Sequence, residues 1–129
     1  VFGLKTKKSE SKFYVSCYHD GYSTITKKNY HHINWIFDQN KIFIKDEVTS
    51  KNCSAIANFI LHPDIKVITN DSKKKYILKT KSDKVYLWVK HGESKLVEKF
   101  YAPEFGILRK TKCISISLQK SKSEIILTW

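Results

Sequence analysis

The sequence predicts an all-β fold, an antiparallel sandwich of stacked sheets built from about ten short strands. Apolar and polar residues alternate with a period of two along most of the chain, as in strands that bury one face. No window keeps a helical apolar stripe for more than about 10 residues. Turn residues recur at strand-like intervals, and 41% of the 129 residues are hydrophobic, enough for one core. We therefore expect a single domain over residues 1–129.

The clearest strands lie in the first half of the chain. Residues 12–18 and 31–38 both alternate apolar and polar side chains. Residues 38–41 read Asp-Gln-Asn-Lys, which favours a turn. The next strand, residues 41–47, should therefore pair back on residues 31–38 as a hairpin.

Shorter segments rich in Val, Ile, Tyr, Phe and Thr predict the other strands. They are residues 23–27, 55–62, 65–69, 75–79, 84–90, 95–101, 112–118 and 124–129. Pro, Gly, Asn and Asp place breaks at 62–64, 70–72, 91–93 and 102–104. Glu104-Phe105-Gly106 also favours a turn, in which we expect Gly106 to relieve a strained backbone angle and Phe105 to point inward.

Aromatic residues and cysteines are expected mainly in the core. Trp35 and Trp88 occupy alternating strand positions, and such rings usually fill a sandwich interior, although a sugar-stacking platform is the alternative. The cysteines, Cys17, Cys53 and Cys113, are widely spaced and odd in number, which argues against a disulfide framework or a zinc site. We interpret them as small buried hydrophobic residues.

The charge is strongly positive and is carried by lysine. There are 24 basic residues against 12 acidic ones, a formal charge of +12, and Arg109 is the single arginine. Such a surface attracts polyanions such as acidic polysaccharides, although a solvated face with no partner explains it equally well. The scarcity of arginine argues against nucleic acid. No apolar run approaches the roughly 20 residues of a membrane span, and the first residues are too polar for a signal peptide. We expect an excised segment of a longer protein.

Several short motifs, in order, point to a family. They are His19-Asp20-Gly21-Tyr22, then His32, then Asp46-Glu47-Val48, Leu61-His62-Pro63 and residues 101–106, Tyr-Ala-Pro-Glu-Phe-Gly. Together they make the chain resemble the C-terminal β domain of heparinase II/III-like polysaccharide lyases, over almost its whole length. Ile33 departs from the pattern, because family members commonly have Arg after this His.

The resemblance implies a parent lyase with a helical toroid followed by stacked β-sheets, acting by β-elimination on uronic-acid-containing chains. It places the catalytic Tyr and Asn on the helical domain and a further His in a His-x-His-x-Asp stretch that this sequence lacks. The chain would then be a non-catalytic distal part. Its implied partners are the helical catalytic domain and an anionic polysaccharide, in a periplasmic or extracellular location and without a cofactor.

We therefore assign no catalytic residue and no metal ligand. The candidate substrate contacts are His19, Tyr22, Lys27, Lys28 and His32. The favoured interpretation of residues 19–22 is a turn in which Asp20 bonds local backbone while His19 and Tyr22 pack on the sheet.

Three alternatives remain open at this stage. A minor hypothesis joins His32 and His62 across neighbouring strands with Asp46, a donor set that zinc accepts. An autonomous carbohydrate-binding module would use the lysines and exposed tyrosines instead. A nucleic-acid-binding β domain is disfavoured because no RRM or OB-type signature is present.

Overall fold

The computed structural model describes residues 1–24, 29–50, 54–69 and 74–129. Within these ranges the chain forms strands and turns and no helix, so none of its described segments is a membrane-spanning helix. The strands are β1 (Phe2–Lys8), β2 (Lys12–His19), β3 (His31–Asp38), β4 (Lys41–Val48), β5 (Ile56–Ile60), β6 (Lys66–Thr69), β7 (Lys75–Lys79), β8 (Lys84–His91), β9 (Glu93–Tyr101), β10 (Arg109–Ser117) and β11 (Lys122–Thr128).

The strands form two antiparallel sheets, which confirms the predicted all-β sandwich. The large sheet has eight strands in the order β1-β2-β3-β4-β11-β8-β7-β6, and the small sheet has the order β5-β10-β9. The last strand, β11, pairs with both β4 and β8. It therefore joins the N-terminal meander to the strands from the middle of the chain.

The predicted hairpin is formed by β3 and β4. Their register runs from His31 opposite Val48 to Asp38 opposite Lys41. Gln39 and Asn40 make the turn, and Gln39 has a φ of 38°. This register puts His31, Ile33 and Trp35 on the face toward the small sheet, which we call the inner face.

The core lies between the small sheet and the inner face of β4, β11, β8 and β7. Ile114 and Ile116 on β10 have no exposed surface, and Leu87 and Ile125 opposite them are 2% exposed. The small sheet has three strands against eight, so the core occupies one half of the inner face. The inner face of β1–β3 stays outside this core, and Phe13 and Trp35 there are about 40% exposed.

Several predicted positions are corrected by the structure. Trp35 and Trp88 do not lie in the core, because Trp35 is beyond the small sheet and Trp88 points to the outer face between buried Leu87 and Val89. Phe105 is fully exposed rather than tucked inward, although Gly106 does have the positive φ, 78°, expected of it.

The other predicted strands are present, with bounds within three residues of those predicted. Two exceptions remain. The polar segment β1 was not predicted, because every one of its residues is exposed and it lacks a buried face. The segment predicted at 23–27 begins in a turn at Ser23 and Thr24, and its remainder lies outside the described residues. The break at 70–72 also lies outside them, whereas turns are present at 62–64, 91–93 and 102–104.

The cysteine interpretation is confirmed in part. Cys113 is fully buried and Cys17 is half-buried, and both are free thiols. Cys53 lies outside the described residues.

Candidate functional site

A cavity of about 580 Å³ opens where the small sheet ends and the inner face of the large sheet continues. Strands β3 and β4 form its floor, and the edge strand β5 forms one wall. Its polar groups come from Tyr22, Asn29, His31, Asp46, Ser54 and Asn58, set among apolar side chains. Concave, mostly apolar sites with a few converging polar groups are the usual form of a ligand site.

A histidine and a carboxylate pair on the floor of this cavity. His31 Nε2 lies 2.8 Å from Asp46 Oδ1, and the side chains are 25% and 11% exposed. The register explains the contact, because Asp46 is opposite Ile33, two residues from His31 on the same face. The Nε2–H donates to the carboxylate, so Asp46 fixes the orientation of the imidazole. The pair presents a fixed polar group that can hydrogen-bond a ligand hydroxyl or carboxylate.

Hydrogen bonds fix the end of the cavity at which β3 begins and β4 ends. The Asn29 side-chain oxygen accepts from Thr49 Oγ1 at 3.2 Å and from the Ser50 amide at 3.1 Å. The Tyr30 amide donates to Thr49 Oγ1 at 2.9 Å. Asn29 is buried, so these bonds replace the water that its amide would otherwise bind.

Tyr22 forms the rim of the cavity and is brought there by the predicted turn. The Ser23 amide donates to the Asp20 main-chain oxygen at 2.8 Å, and the Gly21 amide donates to His19 Nδ1 at 3.2 Å. The His19 and Tyr22 rings meet edge to face, with centroids 5.7 Å apart. Tyr22 lines the cavity and is 52% exposed, whereas His19 supports it from the side.

His32 lies on the opposite, outer face of the large sheet. Its Nε2 is 2.8 Å from Ser16 Oγ, and its ring stacks on Tyr18 with centroids 4.2 Å apart. Tyr18 in turn stacks on Phe2 at 5.7 Å. The structure therefore does not bring His32 together with His19 and Tyr22. Lys27 and Lys28 lie outside the described residues.

Sequence reasoning missed His31 as a cavity residue, and also missed Asn29, Ser54 and Asn58. Which of the two adjacent histidines faces inward follows from strand parity. The sequence shows that parity, because His31 alternates with Ile33 and Trp35. The sequence does not show that Asp46 is the partner of His31, because this carboxylate, 15 positions away, contacts His31 only through the register of the hairpin.

The zinc hypothesis is wrong for a topological reason. His32 is on β3 in the large sheet, and His62 follows β5 in the small sheet, so the two are not on neighbouring strands. Asp46 pairs with His31, while His62 contacts the Tyr101 ring at 5.2 Å. Across residues 1–24, 29–50, 54–69 and 74–129, no group of three His, Cys, Asp or Glu could hold a metal ion.

A second charged cluster lies on the outer face, at Glu47. Partial burial raises the pKa of this carboxyl, but hydrogen bonds and positive charge from Lys122 and Lys45 outweigh the burial and leave the pKa lowered. The Lys122 and Lys45 ammonium groups lie 3.0 Å and 3.2 Å from the carboxylate. Glu47 is therefore held ionised as a structural tie between β4 and β11.

Comparisons with known proteins agree with this fold. A family model described as "Heparinase II/III-like, C-terminal" matches residues 3–129. No curated protein sequence compared with the chain gave a match. A heparan sulfate lyase, HepC, from Pedobacter heparinus superposes with a TM-score of 0.80 at 9% identity, over 97% of this chain and 21% of that one. The heparinase III BT4657 gene product gives 0.72 at 14% identity, over 96% of this chain and 20% of that one.

The chain thus spans about a fifth of the length of these solved structures. The match to the family model extends over almost the entire sequence, as the order of short motifs predicted. This chain belongs to the heparinase II/III-like C-terminal family.

Proposed function

We propose that this chain is the distal C-terminal β domain of a polysaccharide lyase. This parent enzyme cleaves a uronic-acid-containing anionic polysaccharide by β-elimination. Within the parent enzyme, the chain supports the catalytic domain and contacts the substrate, but it does not perform the elimination. The family match over residues 3–129 carries the proposal. The solved structures described as a heparan sulfate lyase and a heparinase III support the polymer class.

The groups around the cavity suit substrate contact better than elimination. The reaction needs a base for the C5 proton, a donor that stabilises the developing enolate, and a proton for the departing C4 oxygen. Asn58 Oδ1, at the β5 wall, accepts from Ser115 Oγ at 2.6 Å, which ties this side chain to β10. Arg109, the single arginine of the sequence, is on β10 and away from the cavity.

The inner face of β1–β3 supports the buttressing role. Phe37 contacts Phe13 and Trp35, with ring centroids 6.1 and 6.0 Å apart, and Phe13 and Trp35 are about 40% exposed. Contiguous exposed aromatic surface marks an interaction site. In the proposal this cluster packs against the catalytic domain of the parent enzyme.

The first experiment measures turnover. With heparan sulfate, alginate or hyaluronan, we expect this chain to give no rise in the ultraviolet absorbance of unsaturated uronate above the polymer blank. A complete lyase that includes the catalytic domain, assayed on the same polymers, is the positive control. Sustained turnover by the chain alone, lost in the variants Tyr22→Phe and His31→Ala, would contradict the non-catalytic assignment.

The second experiment measures contact at the cavity. Tyr22→Ala should weaken binding of heparan sulfate oligosaccharides several-fold in a calorimetric titration, because it removes an exposed ring from the rim. Tyr101→Ala in the small sheet is the matched control and should leave binding unchanged. Equal affinities for both variants would reject the cavity as a contact site.

A further inference from the structure

The outer face of the large sheet carries a row of large side chains across five neighbouring strands. Tyr14, Ile36, Phe43, Ile126 and Trp88 stand opposite one another on β2, β3, β4, β11 and β8, and we call them the outer row. At about 4.8 Å between strands, the row is about 19 Å long. Trp88 is 38% exposed and the other four are partly exposed.

Two depressions join along the outer row. The larger, about 960 Å³, is lined by Tyr14, Ile36 and Lys7 among others. The smaller, about 230 Å³, is lined by Trp88 and Lys41 among others. Both are bordered by Phe43, Lys90 and Ile126, so they lie side by side along the outer row, and we call the two together the groove.

Lysines border this groove and two of them lie on its tryptophan. Lys75 Nζ is 4.4 Å from the centroid of the Trp88 ring, and Lys90 Nζ is 5.9 Å from it. In the described part of the chain, no carboxylate oxygen is within 4.0 Å of the ammonium groups of Lys7, Lys41, Lys75 or Lys90. This contrasts with Lys45 and Lys122, which both pair with the carboxylate of Glu47. The groove therefore combines ring faces with four lysines that pair with no carboxylate of the described residues, and its lining also holds Glu124 and the lysine-paired Glu47.

We propose that this groove binds an extended anionic polysaccharide, at a site separate from the cavity between the sheets. The polymer class rests on the proposed function, and the location rests on the outer row. Apolar faces of sugar rings stack on the aromatic side chains, and the sulfate or carboxylate groups pair with the lysines. A second copy of the chain is a poor occupant, because two lysine-rich faces repel each other.

The test compares two double variants that lose equal charge. Lys75→Ala/Lys90→Ala removes the lysines at Trp88, and Lys95→Ala/Lys99→Ala removes two exposed lysines of β9 in the small sheet. Heparin is titrated by calorimetry at several salt concentrations. The first variant should bind roughly five- to tenfold more weakly at low salt, and its plot of log K against log salt should be shallower by about 2. The control should stay close to the unaltered protein.

A third variant, Trp88→Ala, tests the ring. It should weaken binding several-fold while leaving the salt slope unchanged, since no charge is lost. If Lys75→Ala/Lys90→Ala fails to fold, Lys90→Ala alone, at an exposed position, should still lower the slope by about 1.

The outcomes separate this site from the proposed function. Equal weakening by both double variants would show diffuse attraction and overturn the groove. Binding that depends on Tyr22 and not on Trp88 would also overturn it while leaving the proposed function intact. Absence of heparin binding at low salt would overturn the groove, whereas the turnover and Tyr22 experiments test the proposed function separately. Tighter binding of DNA than of heparin, or dimerisation through this face in sedimentation, would replace the polysaccharide as occupant.

Discussion

At the scale of single residues, two carboxylates on neighbouring positions of β4 have different roles. Asp46 points inward and orients His31 in the cavity, and Glu47 points outward and ties Lys45 and Lys122 together. Their difference follows from strand parity alone, since adjacent side chains of a strand leave on opposite faces. The motif that suggested the family thus carries one group that orients a cavity histidine and one that pairs with lysines on the outer face.

The lowered pKa of Glu47 predicts a pH-dependent contribution to stability. A carboxyl whose pKa is lowered by folding stabilises the protein above its unfolded pKa, and this contribution is lost as the pH falls through the folded value. Glu47→Gln should therefore lower the free energy of unfolding by about 0.5–1 kcal/mol at pH 7, since the lysines are partly exposed and screened. The difference from the unaltered protein should shrink as the pH falls below 4.5, the ordinary value of the carboxyl.

Urea unfolding at pH 7 and at progressively lower pH measures this difference. Glu104→Gln, at an exposed position, is the control and should change the stability little at any pH. A deficit for Glu47→Gln that stays constant across the pH range would show that the effect comes from something other than the charge.

At the scale of elements, Gly92 carries the chain from the large sheet to the small one. It is buried between β8 and β9 with a φ of 104°. A Cβ there would lie 2.6 Å from Ile116 Cγ2 and 3.0 Å from the Ser117 oxygen. Ile116 is fully buried in the core, so neither neighbour can move freely. The crossing between sheets therefore requires glycine both for its backbone angle and for its lack of a side chain.

Gly92→Ala should lower the free energy of unfolding by about 2–4 kcal/mol, combining backbone strain with an overpacked core. Gly106→Ala is a matched control, because Gly106 also has a positive φ, 78°, but has no atom within 4 Å of the added Cβ. It should cost only about 1 kcal/mol. Chemical denaturation of the two variants gives the comparison, and equal losses would show that the close contact with Ile116 does not matter.

Elements were predictable here to the extent that their residues alternate. The strands β3 and β7 have the predicted bounds, because apolar positions with period two and flanking turn residues define them. Strand β1 was missed because it is a polar edge strand held by pairing with β2, a long-range contact that leaves no local pattern. Strand parity in the sequence predicts that Trp35 faces inward. It does not predict that Trp35 is exposed, because the sequence does not show how far the small sheet extends over the inner face.

At the scale of the molecule, an excess of 12 positive charges must fold into two sheets with few acidic partners. Self-repulsion of like charges opposes the compact state, and any bound polyanion relieves it. Charge and fold are coupled in this way wherever a polyanion binds.

This coupling predicts that heparin stabilises the protein and that salt removes the effect. A ligand that binds the folded state adds a stability of about 2.7 kcal/mol when its concentration is 100 times the dissociation constant, so the midpoint of thermal unfolding should rise by several degrees at low salt. At 1 M salt the Debye length falls to about 3 Å, and the rise should largely disappear. Differential scanning fluorimetry with heparin measures both the rise at low salt and its loss at 1 M salt, and uncharged dextran is the control. An equal rise with dextran, or a rise that persists at 1 M salt, would mean that the lysines do not drive the binding.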